Sequence, residues 1–439
     1  MDALSQLYNA YRHGAAICTD TRKITEGCIF FALRGDLFNG NLFAQKAINA
    51  GASLAVVDDD ALPNHERFIK VDNVLTCLQE LALYHRKNLK IPVIGITGSN
   101  GKTTTKELVS RVLAKKFRTY FTQGNLNNHI GVPLTLLSIK EDMEIAVVEM
   151  GANHRHEIGF LCSLALPTHV LITNVGKAHL EGFGGFEGVK LGKGEMYTHA
   201  KNNDAVVFIN ADNPHLVSML GQHERTLTFG SKDSYYLHGI PIADHELASV
   251  KWQSPISREW LEIHSQITGQ YNCENILSAV AIGLHFGVNE LDIVAAIENY
   301  VPDNSRSQKL TYGETSIILD AYNANPTSME AAISNFSKNF EGRKMIFLGD
   351  MLELGEESSN EHHRILTLAL QSNADQIIVV GPLFAAAANA IANPRVLSLE
   401  NAAIAGQWLM HHPPGACTML IKGSRGSKME QVLSGIKRN

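Results

Sequence analysis

The stretch GITGSNGKTTTKEL, from Gly95 to Leu108, gathers glycines, a lysine and threonines at one turn. In such a turn, backbone N–H groups cradle phosphate oxygens and the following helix N-terminus adds partial positive charge. Lysine reaches the β- and γ-phosphates, and Ser or Thr holds Mg²⁺. Here the parts are Gly98, Gly101, Lys102 and Thr103, with Thr104 beside it. The common spacing wants glycine at 96, but Ile96 stands there and Gly95 is one residue early, so the loop is a variant. The apolar run before it and the helical pattern after it supply the context a phosphate loop needs. A chance Gly-Lys-Thr turn is the competing reading. A metal-holding acid belongs at the end of a neighbouring strand. Glu149, closing EIAVVEMGA, fits that place; a surface glutamate at a strand end is the alternative.

Three blocks of sequence must position these groups. The first, to about residue 88, contains two strand-like runs, GCIFFAL and ASLAVVD, around FAQKAINAG, a helix ending at Gly51. VLTCLQELALYHRKNL is amphipathic and leads into the second block. There IPVIGITG, EIAVVEMGA, THVLITNVG and AVVFINAD alternate with helical stretches, including NILSAVAIGLHFG, so a mostly parallel sheet built from βαβ units is expected. The third block, from DNSRSQK, repeats the style in TSIILDAYNANP, KMIFLGDMLELG, ADQIIVVGP and CTMLIKGSRG, a second α/β sheet with Rossmann-like winding. In such sheets ligands bind at the carboxyl ends of strands.

Bulk properties exclude several classes. The chain has 439 residues, 45% hydrophobic and 19% charged, an ordinary globular balance with room for several domains. A net charge of −6 argues against nucleic-acid binding. The six cysteines form no CxxC and no zinc spacing, and are expected to be reduced, buried thiols of a cytosolic protein. No leader pattern is read at the N-terminus, and no window approaches the ~18 apolar residues of a membrane span.

With the phosphate loop in place, other stretches line up: DTRKITEGCIFFALRG, GNLNNHIGVPLTLL, VVEMGANHRHEI, TNVGKAHLEGFGG, KGEMY, DAYNANPTSMEAA, GDMLELG and KGSRG. In this order and spacing the sequence resembles the Mur ligases, ATP-dependent peptide ligases of cell-wall precursor synthesis. It is most similar to the branch that joins D-alanyl-D-alanine to UDP-N-acetylmuramoyl-tripeptide. The resemblance implies an α/β, three-domain architecture: a UDP-sugar-binding domain (1–88), a central P-loop ATPase domain with a parallel sheet (89–303) and a C-terminal Rossmann-like domain (304–439). It implies ATP, Mg²⁺ and CO₂, the last as a lysine carbamate, in a cytoplasmic monomer acting through an acyl phosphate.

The resemblance also implies roles for residues. The loop Gly98, Ser99, Asn100, Gly101, Lys102, Thr103 and Thr104 would hold ATP phosphates, with Thr103 on the first Mg²⁺. Glu149 and His179 match metal-ligand positions, and Lys193 matches the carbamylated lysine, with Lys190 three residues off register. Asn275, Arg306, Asp320, Tyr322 and Asn323 match nucleotide-contacting positions. Thr21, Arg22, Arg34, Asn39 and Gly40 would serve the UDP-sugar, and Asn125, Asn127, Asn128 and His129 the muramoyl-peptide. Asp350 and Glu353, with Lys422, Ser424 and Arg425, would serve the dipeptide. Bland alternatives stay open. His179 suits a hydrogen-bonding loop histidine, Lys193 a solvated lysine on a glycine-rich loop, and the Asn cluster Asx-turns or caps. The first-block residues suit ordinary turns, and KGSRG a solvated basic turn. ANPRV resembles the Asp-Asn-Pro-Arg motif of a sibling ligase, but Ala392 replaces its Asp. A folylpolyglutamate-type ligase would lack the first block, and a regulatory P-loop NTPase would not need a modified lysine.

Overall fold

Short runs of β-branched and aromatic residues, closed by Gly, Asp or Asn, become the strands, and amphipathic runs between them become the helices. The computed structural model describes residues 3–243 and 246–436. By internal contacts the chain divides into two compact units. The first is Met1–Gly95, Arg118–Gly151 and Gly159–Thr168; the second is Ile96–Phe117, Ala152–Ile158 and His169–Asn439.

In the first unit, Ile17–Cys18, Ile29–Phe31, Leu54–Val57 and Phe68–Lys70 form a parallel four-stranded sheet in that order. Phe30, Val57 and Phe68 pack there with Ala44, Ala47 and Ile48 of helix Ala44–Asn49. Helix Val74–Asn88 starts where the Asn73 side chain accepts from Thr76 N–H, and buries Val74, Cys77, Leu78, Leu81 and Ala82. This is the amphipathic stretch expected from sequence. Strands Thr119–Phe121 and Ile145–Glu149 pair in parallel.

Strand Val93–Thr97, buried at every residue, begins in the first unit and ends in the second. The second unit contains His169–Ile172, Val206–Asn210, Thr226–Gly230 and Leu237–Pro241, paired in parallel in that order. Leu247–Gln253 and Trp260–Thr268 then continue it antiparallel, a turn that the expectation of βαβ units did not include.

A six-stranded sheet follows in the same unit. Its order is Gln308–Tyr312, Thr315–Asp320, Cys417–Lys422, Lys344–Gly349, Gln376–Val380, Val396–Leu399. Only the first pair is antiparallel. Because Cys417–Lys422 lies between Thr315–Asp320 and Lys344–Gly349, the loops at 320–325, 350–355 and 422–425 leave adjacent strand ends. That is where a doubly wound sheet opens a crevice. None of the six cysteines forms a disulfide, and all are buried. Among the described residues no helix is long and apolar enough to cross a membrane.

Candidate active site

The phosphate loop is built by backbone constraints. Gly98 has φ +146°, and a Cβ there would lie 2.0 Å from Thr173 Oγ1. Gly101 has φ +78°, and its Cβ would meet Asn275 Oδ1 at 2.5 Å. Side chains are therefore excluded at both turns. The loop is tied down by Asn174, whose backbone oxygen accepts from Ser99 N–H at 3.0 Å. Its side-chain oxygen accepts from Asn100 N–H at 3.0 Å. Thr173 Oγ1 donates to Asn100 O at 2.6 Å. Lys102 opens helix Lys102–Leu113 and folds its ammonium back over the loop, donating to Gly98 O at 2.7 Å and Ser99 O at 3.3 Å. Thr103 and Thr104 are buried. Asn275 accepts from Thr105 Oγ1 at 3.0 Å and donates to Asn272 Oδ1 at 2.8 Å, so its side chain braces the turn at Gly101.

Glu149 is 1% exposed at the end of its strand. Its Oε1 accepts from Asn127 Nδ2 at 2.7 Å, and its backbone N–H donates to Thr122 Oγ1. Its Oε2 is buried with no partner among the described residues. An unsatisfied buried carboxylate oxygen is costly unless a donor or cation meets it, so this residue fits a hard divalent ion. Asn127 thus orients Glu149. Asn128 Oδ1 accepts from Ile130 and Gly131 N–H in the turn just before helix Gly131–Leu137, the local Asx-turn role held open for it. Asn125 and His129 use their carbonyls, accepting from Asn127 N–H and Gln79 Nε2.

Lys193 is not on a glycine-rich loop. FEGVKLGKGEMY opens helix Phe186–Asn202, and Lys193 is 1% exposed. The glycines have a packing reason: Cβ atoms at 188 and 192 would lie 1.8 Å from Phe183 O and 2.4 Å from the Phe183 ring. The Lys193 amine donates to Ala152 O at 3.2 Å and sits 5.2 Å from the Phe183 ring centre. Burial holds it well below the usual lysine range, and the Lys102 ammonium pushes the same way. One turn on, Tyr197 is also buried, with no partner for its hydroxyl among the described residues. Lys190 instead pairs with Glu187.

His179 has φ +53° and precedes the short helix Leu180–Phe183; its Nδ1 pairs with the Glu353 carboxylate. Among the described residues no three His, Cys, Asp or Glu side chains gather as a metal-binding group.

At the third-block strand ends, Lys422, 1% exposed, pairs with Asp320 and reaches Asn323 O at 3.4 Å. KGSRG is therefore not a solvated turn at its lysine; Ser424 is buried too, bonded to Ser427 Oγ. Arg306 stacks 3.7 Å from the Tyr322 ring centre, and its Nε is buried without a partner among the described residues. Arg425 lies 5.7 Å from the same ring. Asn323 accepts from Ala324 N–H. Asp350 accepts from Leu383 and Phe384 N–H, satisfying the start of helix Pro382–Ile391.

Sequence reasoning missed Asn325. It caps helix Pro326–Asn339 and donates to Asn100 Oδ1 of the phosphate loop at 2.8 Å. NPTS announces the helix start, but nothing local announces that partner.

In the first block, Arg22 pairs with Asp20 of its own turn, across Thr21, and Arg34 pairs with Asp58. Asn39 accepts from Asn41 N–H, and a Cβ at Gly40 would lie 2.4 Å from Leu33 O.

Three domain families match the chain: "Mur ligase family, catalytic domain" at residues 14–86, "Mur ligase middle domain" at 96–283 and "Mur ligase, glutamate ligase domain" at 305–425. The UDP-N-acetylmuramoyl-tripeptide–D-alanyl-D-alanine ligase of Bacillus subtilis strain 168 is 34% identical over 97% of this chain and 93% of its own. A crystal structure of MurF from Acinetobacter baumannii aligns with TM-score 0.87 and 29% identity, over 98% of each chain. The MurF ligase of Thermotoga maritima, solved in complex with ADP, aligns with TM-score 0.84 and 25% identity over 96% of this chain and 97% of that one.

Proposed function

The chain belongs to the Mur ligase family, and on that premise we propose that it joins D-alanyl-D-alanine to UDP-N-acetylmuramoyl-tripeptide, with ATP cleaved to ADP and phosphate. The observation that carries this reading is the match to a D-alanyl-D-alanine ligase along 97% of the chain.

The chemistry follows in two steps. An oxygen of the tripeptide's terminal carboxylate attacks the γ-phosphorus, the bond to ADP breaks, and an acyl phosphate forms. The dipeptide amine then attacks the acyl carbon, a C–N bond forms, phosphate leaves and the amine gives up its proton. The first step brings a carboxylate against a triphosphate, so their repulsion must be offset by preorganised positive charge. Lys102, held over the loop carbonyls, supplies it from the protein. Mg²⁺, when bound, would neutralise phosphate charge.

Thr103, Glu149 and His179 are the residues we assign to Mg²⁺, supported by the orphaned Glu149 Oε2. Lys193 is assigned as the carbamate carrier. Carbamylation needs a neutral amine, and burial favours that form. The carbamate oxygen would add an anionic ligand beside Lys102.

Asn275, Arg306, Asp320, Tyr322 and Asn323 are assigned to the nucleotide, the last four through the crevice at the C-terminal strand ends. Thr21, Arg22, Arg34, Asn39 and Gly40 are assigned to the UDP-sugar. Asn125, Asn127, Asn128 and His129 are assigned to the muramoyl-peptide, in part through the brace Asn127 gives Glu149. Asp350, Glu353, Lys422, Ser424 and Arg425 are assigned to the dipeptide side. The three domains are proposed at 1–88, 89–303 and 304–439, and the setting as the cytoplasm, where ATP and the nucleotide sugar meet. The test is phosphate release with ATP, Mg²⁺ and UDP-muramoyl-tripeptide under a varied amine donor. Stimulation by D-alanyl-D-alanine and not by single amino acids is expected; equal release without any acceptor would overturn the reading.

A further inference from the structure

His179 and Glu353 lie 174 residues apart, one after strand His169–Ile172 and the other after strand Lys344–Gly349. They are joined twice. The His179 ring pairs through Nδ1 with the Glu353 carboxylate, and Glu181 N–H donates to Glu353 O at 3.3 Å. Both residues hold left-handed backbone, φ +53° and +61°. For a non-glycine residue this is unfavourable, and such strain collects where surrounding structure enforces a functional geometry. A carboxylate only accepts hydrogen bonds, so a ring proton sits on Nδ1 toward Glu353, and Nε2 is the nitrogen left to face a cation. Histidines that bind metal through one nitrogen commonly donate the other ring N–H to a carboxylate in this way.

We infer that Glu353 is a positioning residue, whose carboxylate fixes the ring orientation and tautomer of His179 so that Nε2 is presented to the divalent cation. The inference rests on the assignment of His179 as a cation ligand and gives Glu353 a role besides its assignment to the dipeptide side. It makes the GDMLELG loop part of the cation site's support, so cation affinity depends on where that loop lies.

Mn²⁺ binding to the full chain with ADP, read by electron paramagnetic resonance, tests this without turnover. Glu353→Asn suits a positive φ and is too short to reach the ring; it is expected to weaken Mn²⁺ by about 10–100-fold. Glu353→Gln keeps an oxygen acceptor and should restore most of the affinity. In the metal-free chain, ¹⁵N NMR should show His179 as the Nδ1–H tautomer in wild type and as a mixture in Glu353→Asn. Wild-type Mn²⁺ affinity in Glu353→Asn, with loss in His179→Gly, would overturn the inference; so would Glu353→Gln behaving like Glu353→Asn, or a raised dipeptide KM as the sole effect. Unchanged Mn²⁺ affinity in His179→Gly would instead remove the ligand assignment, and the inference with it.

Discussion

Replacing Lys193 by methionine separates what its amine does for the reaction from what its side chain does for the core. The side chain is 1% exposed and its amine has one recorded acceptor, Ala152 O. Burial favours the neutral amine, whose second N–H has no acceptor among the described residues, and burying an unpartnered polar group costs about 1–3 kcal/mol. Methionine fills similar space and removes that penalty, while Ala152 O loses a bond worth about 0.5–1.5 kcal/mol. The two nearly offset, so Lys193→Met should unfold in urea within about 1 kcal/mol of wild type or above it. Lys193→Ala should lose about 2–5 kcal/mol through the cavity it leaves. Ligation should fall in both variants by about 10²–10³, the scale of losing one preorganised electrostatic group. Wild-type enzyme stripped of CO₂ should recover on adding bicarbonate, and Lys193→Met should not. Sign also follows from the depressed amine: the unfolded chain binds the extra proton, so this group makes stability rise with pH below 10.5, down to its lowered folded value. Lys193→Met ligating at the wild-type rate would refute the carbamate assignment; its failure to fold would show the lysine to be structural.

Two further outcomes are expected. Gly101→Ala would force a left-handed φ on alanine and set its Cβ 2.5 Å from Asn275 Oδ1; isothermal titration should show ATP affinity down at least about tenfold, since the strain alone costs about 1–2 kcal/mol, and unchanged affinity would contradict the loop geometry. His169, 3.2 Å from His285, is pushed down to about 3 by burial and by the nearby His285 and Arg225 charges; the unfolded chain then protonates first as pH falls, so stability should drop between about 6.5 and about 3, by at most about 1.4 kcal/mol per pH unit, and urea melts of His169→Phe should show a shallower decline.

Much of the fold was legible because its strands are apolar runs closed by chemistry-bearing residues. The phosphate loop, Glu149 and the third-block strand ends all lie where such runs stop. Helices with one apolar face, such as Val74–Asn88, were equally plain. The antiparallel extension through Leu247–Gln253 and Trp260–Thr268 was not, because polar residues in those strands blur the period and pairing direction leaves no local mark. Gly188 and Gly192 left a glycine-rich loop open as an alternative, yet they let a helix pass Phe183 closely. Pairings across long separations, Lys422 with Asp320, Asn325 with Asn100 and Glu353 with His179, depend on strand order rather than on neighbouring sequence. So the site's residue types were readable, while the partners that consume or orient them were not.

The most direct test follows an oxygen atom. UDP-muramoyl-tripeptide carrying ¹⁸O in its terminal carboxylate is ligated to D-alanyl-D-alanine with unlabelled ATP, and the released phosphate is examined by ³¹P NMR. Ligation through an acyl phosphate predicts one ¹⁸O transferred to each phosphate formed with the new amide. Unlabelled phosphate accompanying that amide would contradict it.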